Sequence, residues 1–345
     1  MRYGASHTKG LYTVPNGSGT QFTDGCNAIW DLGLRDLKFY ATADFATDYQ
    51  LQTTFGSTPT NITEFLQTAP VAAQLSRAWN SVVMTMLTFA NGTTNWWRVA
   101  PTPAKFLAEY NEMKAAAVHL LTTYSGSGIV FVVQNWEGDW SFGDTTDVSL
   151  LIDRKYVDYY AAFLATRQRA ISDARAETPH ENVTILNAFE ANRVLDAKDS
   201  PHRRRILTDI SRRLQPDLVS YSCYDSPFKN GWDSNFAAWE ATCQTEMTRA
   251  IRLLKLAFPG KPIQIGEAGV PENEATNDHP TYDVGAMIDR MRDIALAGGC
   301  NRFLYWQVFD NEPHGTYTYR GYWLRKPNND LTLAGARMQA YAAGG

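Results

Sequence analysis

The sequence predicts a single-domain (β/α)8 barrel, and three observations carry that expectation. Eight short apolar runs of strand character alternate with longer amphipathic stretches along the 345 residues. No Pro/Gly/Ser linker or low-complexity tract interrupts the chain, so residues 1–345 read as one unit of a size that α/β barrels reach. Polar and aromatic residues collect after many of the strands. An open doubly wound sheet would gather them at one crevice and carry a Gly-x-Gly-x-x-Gly turn after its first strand, which is missing here.

The apolar runs place strands at Arg2 to Ser6, Leu37 to Thr42, Val82 to Phe89, Ile129 to Asn135, Val183 to Ala188, Leu218 to Tyr224, Ile263 to Gly266 and Arg302 to Gln307. Between them, apolar residues at helical spacing predict helices around Asp24 to Leu34, Ile62 to Trp79, Pro103 to Tyr124, Arg154 to Ala176, Pro201 to Leu214, Phe236 to Leu256 and Tyr282 to Ala297, with a last one from Ala334 to Tyr341. Strict alternation of the two element types forces parallel strands, and eight of them can close with the helices outside.

Composition removes several function classes. A net charge of -4 and a pI near 5.9 argue against a nucleic-acid surface, and the one dense basic cluster, Arg203-Arg204-Arg205 with Arg212-Arg213, reads as a solvated helix face. The apolar runs are too short to span a membrane. Cys26, Cys223, Cys243 and Cys300 have no metal-ligand spacing and are too few for a disulfide scaffold, although Cys223 and Cys243 could pair. No metal and no cofactor is expected, and the oligomeric state is left open. The first strand begins almost at Met1 without a leader. The expectation leans to a secreted or periplasmic protein whose signal has been removed, ahead of a cytoplasmic one. The sequons at Asn16, Asn61, Asn91 and Asn182 fit a chain rich in Asn and Thr and carry no weight.

In a parallel barrel the C-terminal strand ends share one rim, where active sites form. The residues delivered there are His7; Tyr40 and Thr42; Phe89 and Asn91; Asn135, Trp136 and Glu137; Asn187 and Glu190; Tyr221, Tyr224 and Asp225; Glu267; and Trp306, Gln307, Asp310 and Glu312. Two of them are acids that end very apolar strands. Glu137 closes Gly128-Ile129-Val130-Phe131-Val132-Val133-Gln134-Asn135-Trp136-Glu137, and Glu267 closes Pro262-Ile263-Gln264-Ile265-Gly266-Glu267 before a Gly-rich turn. A lone carboxylate at that position is poor packing and good chemistry. Two such acids on rigid strands are what hydrolysis by paired carboxylates requires.

With Glu137 on the fourth strand and Glu267 on the seventh, the chain resembles the clan A glycoside hydrolases, (β/α)8 barrels that cleave glycosides with retention of configuration. The resemblance implies that Glu137 is the acid/base and Glu267 the nucleophile. Ile265-Gly266-Glu267 matches the nucleophile strand, and Tyr305-Trp306 resembles the eighth-strand aromatic that floors the sugar subsite. Tyr221 or Tyr224 would match the tyrosine that hydrogen-bonds the nucleophile. The clan places Asn directly before its acid/base, whereas here Trp136 stands between Asn135 and Glu137. Asp139 and Glu190 are therefore the alternatives for the acid/base, Glu190 repeating an Asn-then-Glu theme with Asn187. The substrate-contact set is His7, Asn135, Trp136, Asn187, Glu190, Tyr221, Tyr224 and Trp306.

Tryptophan usage fits a carbohydrate partner. Trp96, Trp97, Trp136, Trp140, Trp232, Trp306 and Trp323 lie in or beside strand-end loops and offer flat faces for sugar C–H surfaces. A metal hydrolase is disfavoured because His7, His279 and His314 lack ligand spacing, and a Ser-His-Asp hydrolase because no Gly-x-Ser-x-Gly elbow occurs. The competing reading is a carbohydrate-binding barrel without catalysis, or a barrel hydrolase of another class. The long connections 50–61, 138–153 and 311–329 are expected to shape the cleft.

Overall fold

The computed structural model describes residues 1–12, 14, 20–49, 58–92, 95–99, 101–143, 152–199 and 205–344. Of the features read from sequence, Asn16, Arg203, Arg204 and residues 50–57 and 144–151 of two long connections lie outside them, as do residues 201–204 of the fifth expected helix. Eight parallel strands close a barrel in chain order: β1 Arg2–His7, β2 Asp36–Ala41, β3 Ser81–Met86, β4 Val130–Gln134, β5 Thr184–Ala191, β6 Leu218–Ser222, β7 Ile263–Ala268 and β8 Arg302–Tyr305. β1 pairs with both β2 and β8, which removes every sheet edge.

Side-chain parity divides each strand between two environments. Leu37 and Phe39, Val82 and Met84, Phe131 and Val133, and Ile263 and Ile265 point outward into the main apolar core under the helices. Their neighbours point inward, where a small apolar layer forms from Val83, Val132, Ala188, Leu218 and Leu304, with Val130 and Leu186 packed against it. The rest of the interior is polar. Near the N-terminal mouth Asp36 binds Arg302 at 3.2 Å, and Arg302 in turn donates to Gln264 Oε1 at 3.1 Å. Toward the C-terminal mouth the inward positions are Lys38, Gln134, Glu190 and Ser220, all fully buried.

The outer layer consists of α1 Gln21–Asp31, α2 Ile62–Gln67, α3 Ala69–Leu75, α4 Pro103–Thr123, α5 Arg154–Glu177, α6 Phe236–Ala257, α7 Val284–Ala297 and α8 Leu333–Gly344. Side-chain caps start several of them. Thr20, Asn61, Thr102, Asp153, Asn235 and Asp283 each accept a first-turn N–H. The single helix expected over 62–79 is two, broken at the extended residue Thr68. Pro70 explains the break, since it fits a first helical turn and not a helix interior. Among the described residues of the helix expected over 201–214, Ile206–Ile210 form a π-helical turn.

Candidate active site

β7 delivers the first acid through a bulge. Its pairing with β6 is regular through Ile265, then slips so that Ser222 faces Glu267, and the pairing with β8 slips between Ile265 and Ala268. The extra residue is Gly266. A Cβ there would lie 1.9 Å from Ser220 Oγ and 3.0 Å from Glu190 Oε1, so the strand can bulge inward only at a glycine. The bulge resets parity. Glu267, which regular alternation would send out with Ile265, turns into the barrel mouth.

β4 delivers the second acid. Asn135 faces away from the barrel axis: its Oδ1 accepts the Glu190 N–H at 3.1 Å and its Nδ2 donates to Tyr160 Oη at 3.2 Å. The chain then bends across β5, and the Glu137 N–H donates to Glu190 Oε2 at 2.9 Å. Gly138 lets the backbone lie this close, because a Cβ would sit 2.3 Å from the Glu190 carbonyl oxygen. Glu137 is thus fixed by main chain, and its carboxyl is left to face the mouth.

Ser222 joins the two acids. Its Oγ lies 2.9 Å from Glu137 Oε1 and 3.1 Å from Glu267 Oε2. Two such contacts end to end leave at most about 6 Å between those oxygens, near the spacing of paired catalytic carboxyls. A hydroxyl has one proton to give, so both contacts are hydrogen bonds only when one carboxyl is protonated and donates to Oγ.

The surroundings decide which one. Lys38 Nζ donates to Glu267 Oε1 at 2.7 Å, to Glu190 Oε1 at 2.9 Å and to the Gly266 carbonyl at 3.2 Å. Burial works against the Lys38 ammonium, yet the charges of Glu190 and Glu267 outweigh it and hold its pKa above the ordinary value. Burial also raises Glu267, to about 7, with Lys38 pulling it down and the Glu190 charge pushing it up. Among the described residues no ammonium bonds to Glu137, and Lys38 lowers it only from a distance. Burial first, then the charges of Glu267 and Glu190, carry its pKa well above the carboxylate range. The proton of the pair therefore resides on Glu137, and Glu267 is the member that ionises.

A cleft of about 750 Å³ opens over the pair, with Tyr40, Glu137 and Glu267 at its base and Trp136, Trp306 and Tyr322 among its walls. The Trp306 indole is oriented by Glu312, whose Oε1 accepts Nε1–H at 3.1 Å while its Oε2 accepts from Arg320 at 3.1 Å. Asp310 gathers the segment that carries these groups by accepting the N–H groups of Glu312 and Tyr322, at 2.8 and 3.1 Å, and that of Gly321. Burial raises the Asp310 pKa to about 6, against these N–H donors.

Of the residues expected to touch a ligand, Trp136, Tyr224 and Trp306 line this cleft beside Glu137 and Glu267. Five do not. His7 is buried under α1, its Nε2 at 2.8 Å from the Gln21 carbonyl, and burial lowers its pKa to about 4. Asn135 braces β5. Asn187 points outward to Gln168 of α5 at 3.0 Å, and Tyr221 points outward to Asp225 and Ser226. Glu190 lies beneath the cleft with both oxygens occupied, Oε1 taking Lys38, Gln134 and Ser220 and Oε2 the Glu137 N–H. The hydroxyl on Glu267 belongs to Ser222 and not to a tyrosine. Asp139, the other alternative acid, is spent on the N–H groups of Asn192, Arg193 and Ile206. All four cysteines are free and buried. Among the described residues no cluster of His, Cys, Asp or Glu is arranged to hold a metal ion, and no helix is long and apolar enough to cross a membrane.

No protein-family model matches the sequence, and no curated protein matches it. Solved structures do resemble it. An exo-β-1,4-mannosidase from an Opitutaceae bacterium superposes with a TM-score of 0.61 at 12% identity, over 99% of this chain and 59% of that one. The chain thus spans well under two thirds of that protein. An endo-1,4-β-D-mannanase from Thermotoga petrophila gives 0.56 at 14% identity, covering 99% of both chains. A GH5-4 broad-specificity endoglucanase from Bacteroides salanitronis gives 0.57 at 15% identity, over 99% of this chain and 91% of the other. At such identities the likeness is one of fold, and the barrel is the shared object.

Lys38, Ser222, Glu312 and Arg320 are site residues that strand-end reading passed over or left without a role. For Lys38 a signal existed: Asp36, Lys38 and Tyr40 alternate with Leu37 and Phe39, which marks a charged inward face. Ser222 carries no comparable mark.

Proposed function

We propose that the protein is a glycoside hydrolase acting on β-linked hexosides with retention of configuration, with Glu267 as nucleophile and Glu137 as general acid and base. The observation that carries this reading is the Ser222-bridged pair of carboxyls, close together beneath an aromatic cleft, with a buried lysine ammonium bound to Glu267 alone of the two. Inverting enzymes need about 6.5–9.5 Å between carboxyls to admit a water, and retaining enzymes about 5–5.5 Å. The bound of about 6 Å on the bridged oxygens favours the second. The names of the structurally similar exo-β-1,4-mannosidase and endo-1,4-β-D-mannanase support a β-1,4-linked hexose substrate.

In the first step a carboxylate oxygen of Glu267 bonds to the anomeric carbon as the bond from that carbon to the leaving oxygen breaks. The Glu137 proton passes to the leaving oxygen, which departs as a hydroxyl. In the second step Glu137, now ionised, takes a proton from water, whose oxygen displaces Glu267 and restores both groups. Lys38 keeps Glu267 anionic without competing for the substrate, because it is sealed behind the acid. Trp306 and Trp136 offer the faces on which a sugar ring can stack.

Activated aryl β-mannosides and β-glucosides test the reading. Hydrolysis that is abolished by both Glu267→Gln and Glu137→Gln is expected, and azide should rescue Glu137→Ala with formation of a glycosyl azide of retained configuration. Full activity in Glu267→Gln would overturn the assignment, and sugar binding without any turnover would leave a carbohydrate-binding barrel.

A further inference from the structure

Glu190 is fully buried beneath the cleft, and it bonds to the supports of both reacting groups. Its Oε2 accepts the Glu137 N–H at 2.9 Å. Its Oε1 accepts from Lys38 Nζ at 2.9 Å, and the same ammonium donates to Glu267 Oε1 at 2.7 Å. Gln134 Nε2 at 2.8 Å and Ser220 Oγ at 3.2 Å complete the shell of Oε1. Every one of these partners is a donor, so the group they surround is a carboxylate.

β5 can hold this carboxylate still because β4 clamps its main chain. Asn135 Oδ1 accepts the Glu190 N–H at 3.1 Å, and Asn135 Nδ2 donates to the Glu190 carbonyl at 3.4 Å. The clamp is reciprocal: a side chain of β4 fixes the backbone of Glu190, and the side chain of Glu190 fixes the backbone of Glu137. Ser222 ties the two acids together from the cleft, whereas Glu190 ties them from below. A rotation of the Glu190 carboxylate would displace the acid at one oxygen and the cation of the nucleophile at the other.

We propose that Glu190 is a positioning residue for the hydrolysis, one carboxylate that holds Glu137 by its main chain and Glu267 by its ammonium and so fixes their separation. The inference rests on the hydrolase reading. The charge of Glu190 acts on the same two groups. Burial is the largest cause of the raised pKa of Glu137 and of Glu267, and the Glu190 charge adds to it in both, against Lys38 and the Ser222 hydroxyl. Tyr40, Tyr160 and Tyr224 also face these carboxyls, but burial holds their hydroxyls above the ordinary phenol value, and they stay neutral.

Glu190→Gln separates the parts of this arrangement. The amide oxygen must face Lys38, which sets the amide nitrogen against the Glu137 N–H, a donor against a donor. The acid is released while the nucleophile keeps its cation. The test compares phenyl and dinitrophenyl β-glycosides of mannose and glucose. Dinitrophenolate departs without a proton and phenolate does not. The value of kcat/KM, which reports the first step, is therefore expected to fall on the order of 100-fold for the phenyl glycoside and far less for the dinitrophenyl one. Both limbs of the pH–rate profile should move to lower pH, because removing a negative charge favours ionisation of the acids that remain. Glu190→Asp keeps the charge and withdraws it by one methylene, so it should lower the phenyl-to-dinitrophenyl ratio while leaving the limbs near those of the parent. Thermal melting shows which variants fold, and the Asp variant decides if the Gln variant does not. A ratio unchanged in the folded variants, beside an active wild type, overturns the positioning role alone. A wild type that cleaves neither glycoside overturns the hydrolase reading and this role together.

Discussion

Replacing Lys38 by methionine, a side chain of similar length without the charge, removes the closest cation from Glu267. The contact is 2.7 Å long, both partners are buried, and it supplies one of the two side-chain hydrogen bonds that Glu267 receives. An opposite charge at this range lowers a carboxyl pKa by about 1–3 units, so its loss should move Glu267 from about 7 to roughly 8–10. At pH 6 the ionised fraction then drops by about 10- to 1,000-fold, and kcat/KM with it. The acid limb of the pH–rate profile shifts upward, and part of the lost activity returns as the pH is raised toward 9. Stability moves in a defined direction. A carboxyl whose folded pKa is raised binds protons more tightly when folded, so stability is greatest below the unfolded pKa and is lost as pH rises through the folded one. Lys38→Met extends that window upward for Glu267 and strands the Glu190 carboxylate, at a cost of about 3–5 kcal/mol near neutral pH. The assays are a pH–rate profile with an activated aryl glycoside and melting curves from pH 5 to 9. A variant profile that superimposes on the parent's would refute the idea that Lys38 sets the charge of Glu267.

Three other perturbations have expected outcomes. Ser222→Ala removes the hydroxyl that lowers the pKa of both acids, so both limbs of the pH–rate profile should move upward and kcat/KM near neutral pH fall about tenfold; unchanged limbs would mean that the bridge is incidental. Gly266→Ala drives a methyl group to 1.9 Å from Ser220 Oγ and should cost about 3 kcal/mol or more, read as a lowered denaturation midpoint at constant m-value. Glu312→Ala frees the Trp306 indole and should raise KM several-fold with little change in Tm, whereas a large drop in Tm would assign Glu312 to the fold.

The barrel was legible because strands buried on both faces read as short apolar runs, and all eight expected strands are present, with ends shifted by a few residues. The shifts have causes. The sixth strand ends at Ser222 because Cys223–Asp225 turn into a 3-10 helix, and the third stops at Met86, three residues before Phe89. Glu137 and Glu267 stood out because a lone acid after an apolar run is rare. Their neighbours were harder to read. His7, Asn135 and Tyr221 at strand ends, and Asn187 within β5, lie on outward parity, each one residue from an inward position, so proximity to the rim misleads where alternation decides. Glu267 shows the converse, reaching the mouth only through a bulge that sequence does not announce.

The anchoring of the segment after β8 by Asp310 separates two tasks that barrel loops usually share. One carboxylate accepts main-chain N–H groups from both ends of the stretch between Glu312 and Tyr322, and so closes that stretch on itself. Its tip around Gly315, where a side chain would meet nothing, can be lengthened or exchanged while Tyr319, Arg320 and Gly321 keep their bonds. Diversification of the substrate wall is thereby uncoupled from the reacting groups, and this span is where a library for altered sugar selectivity would be grafted.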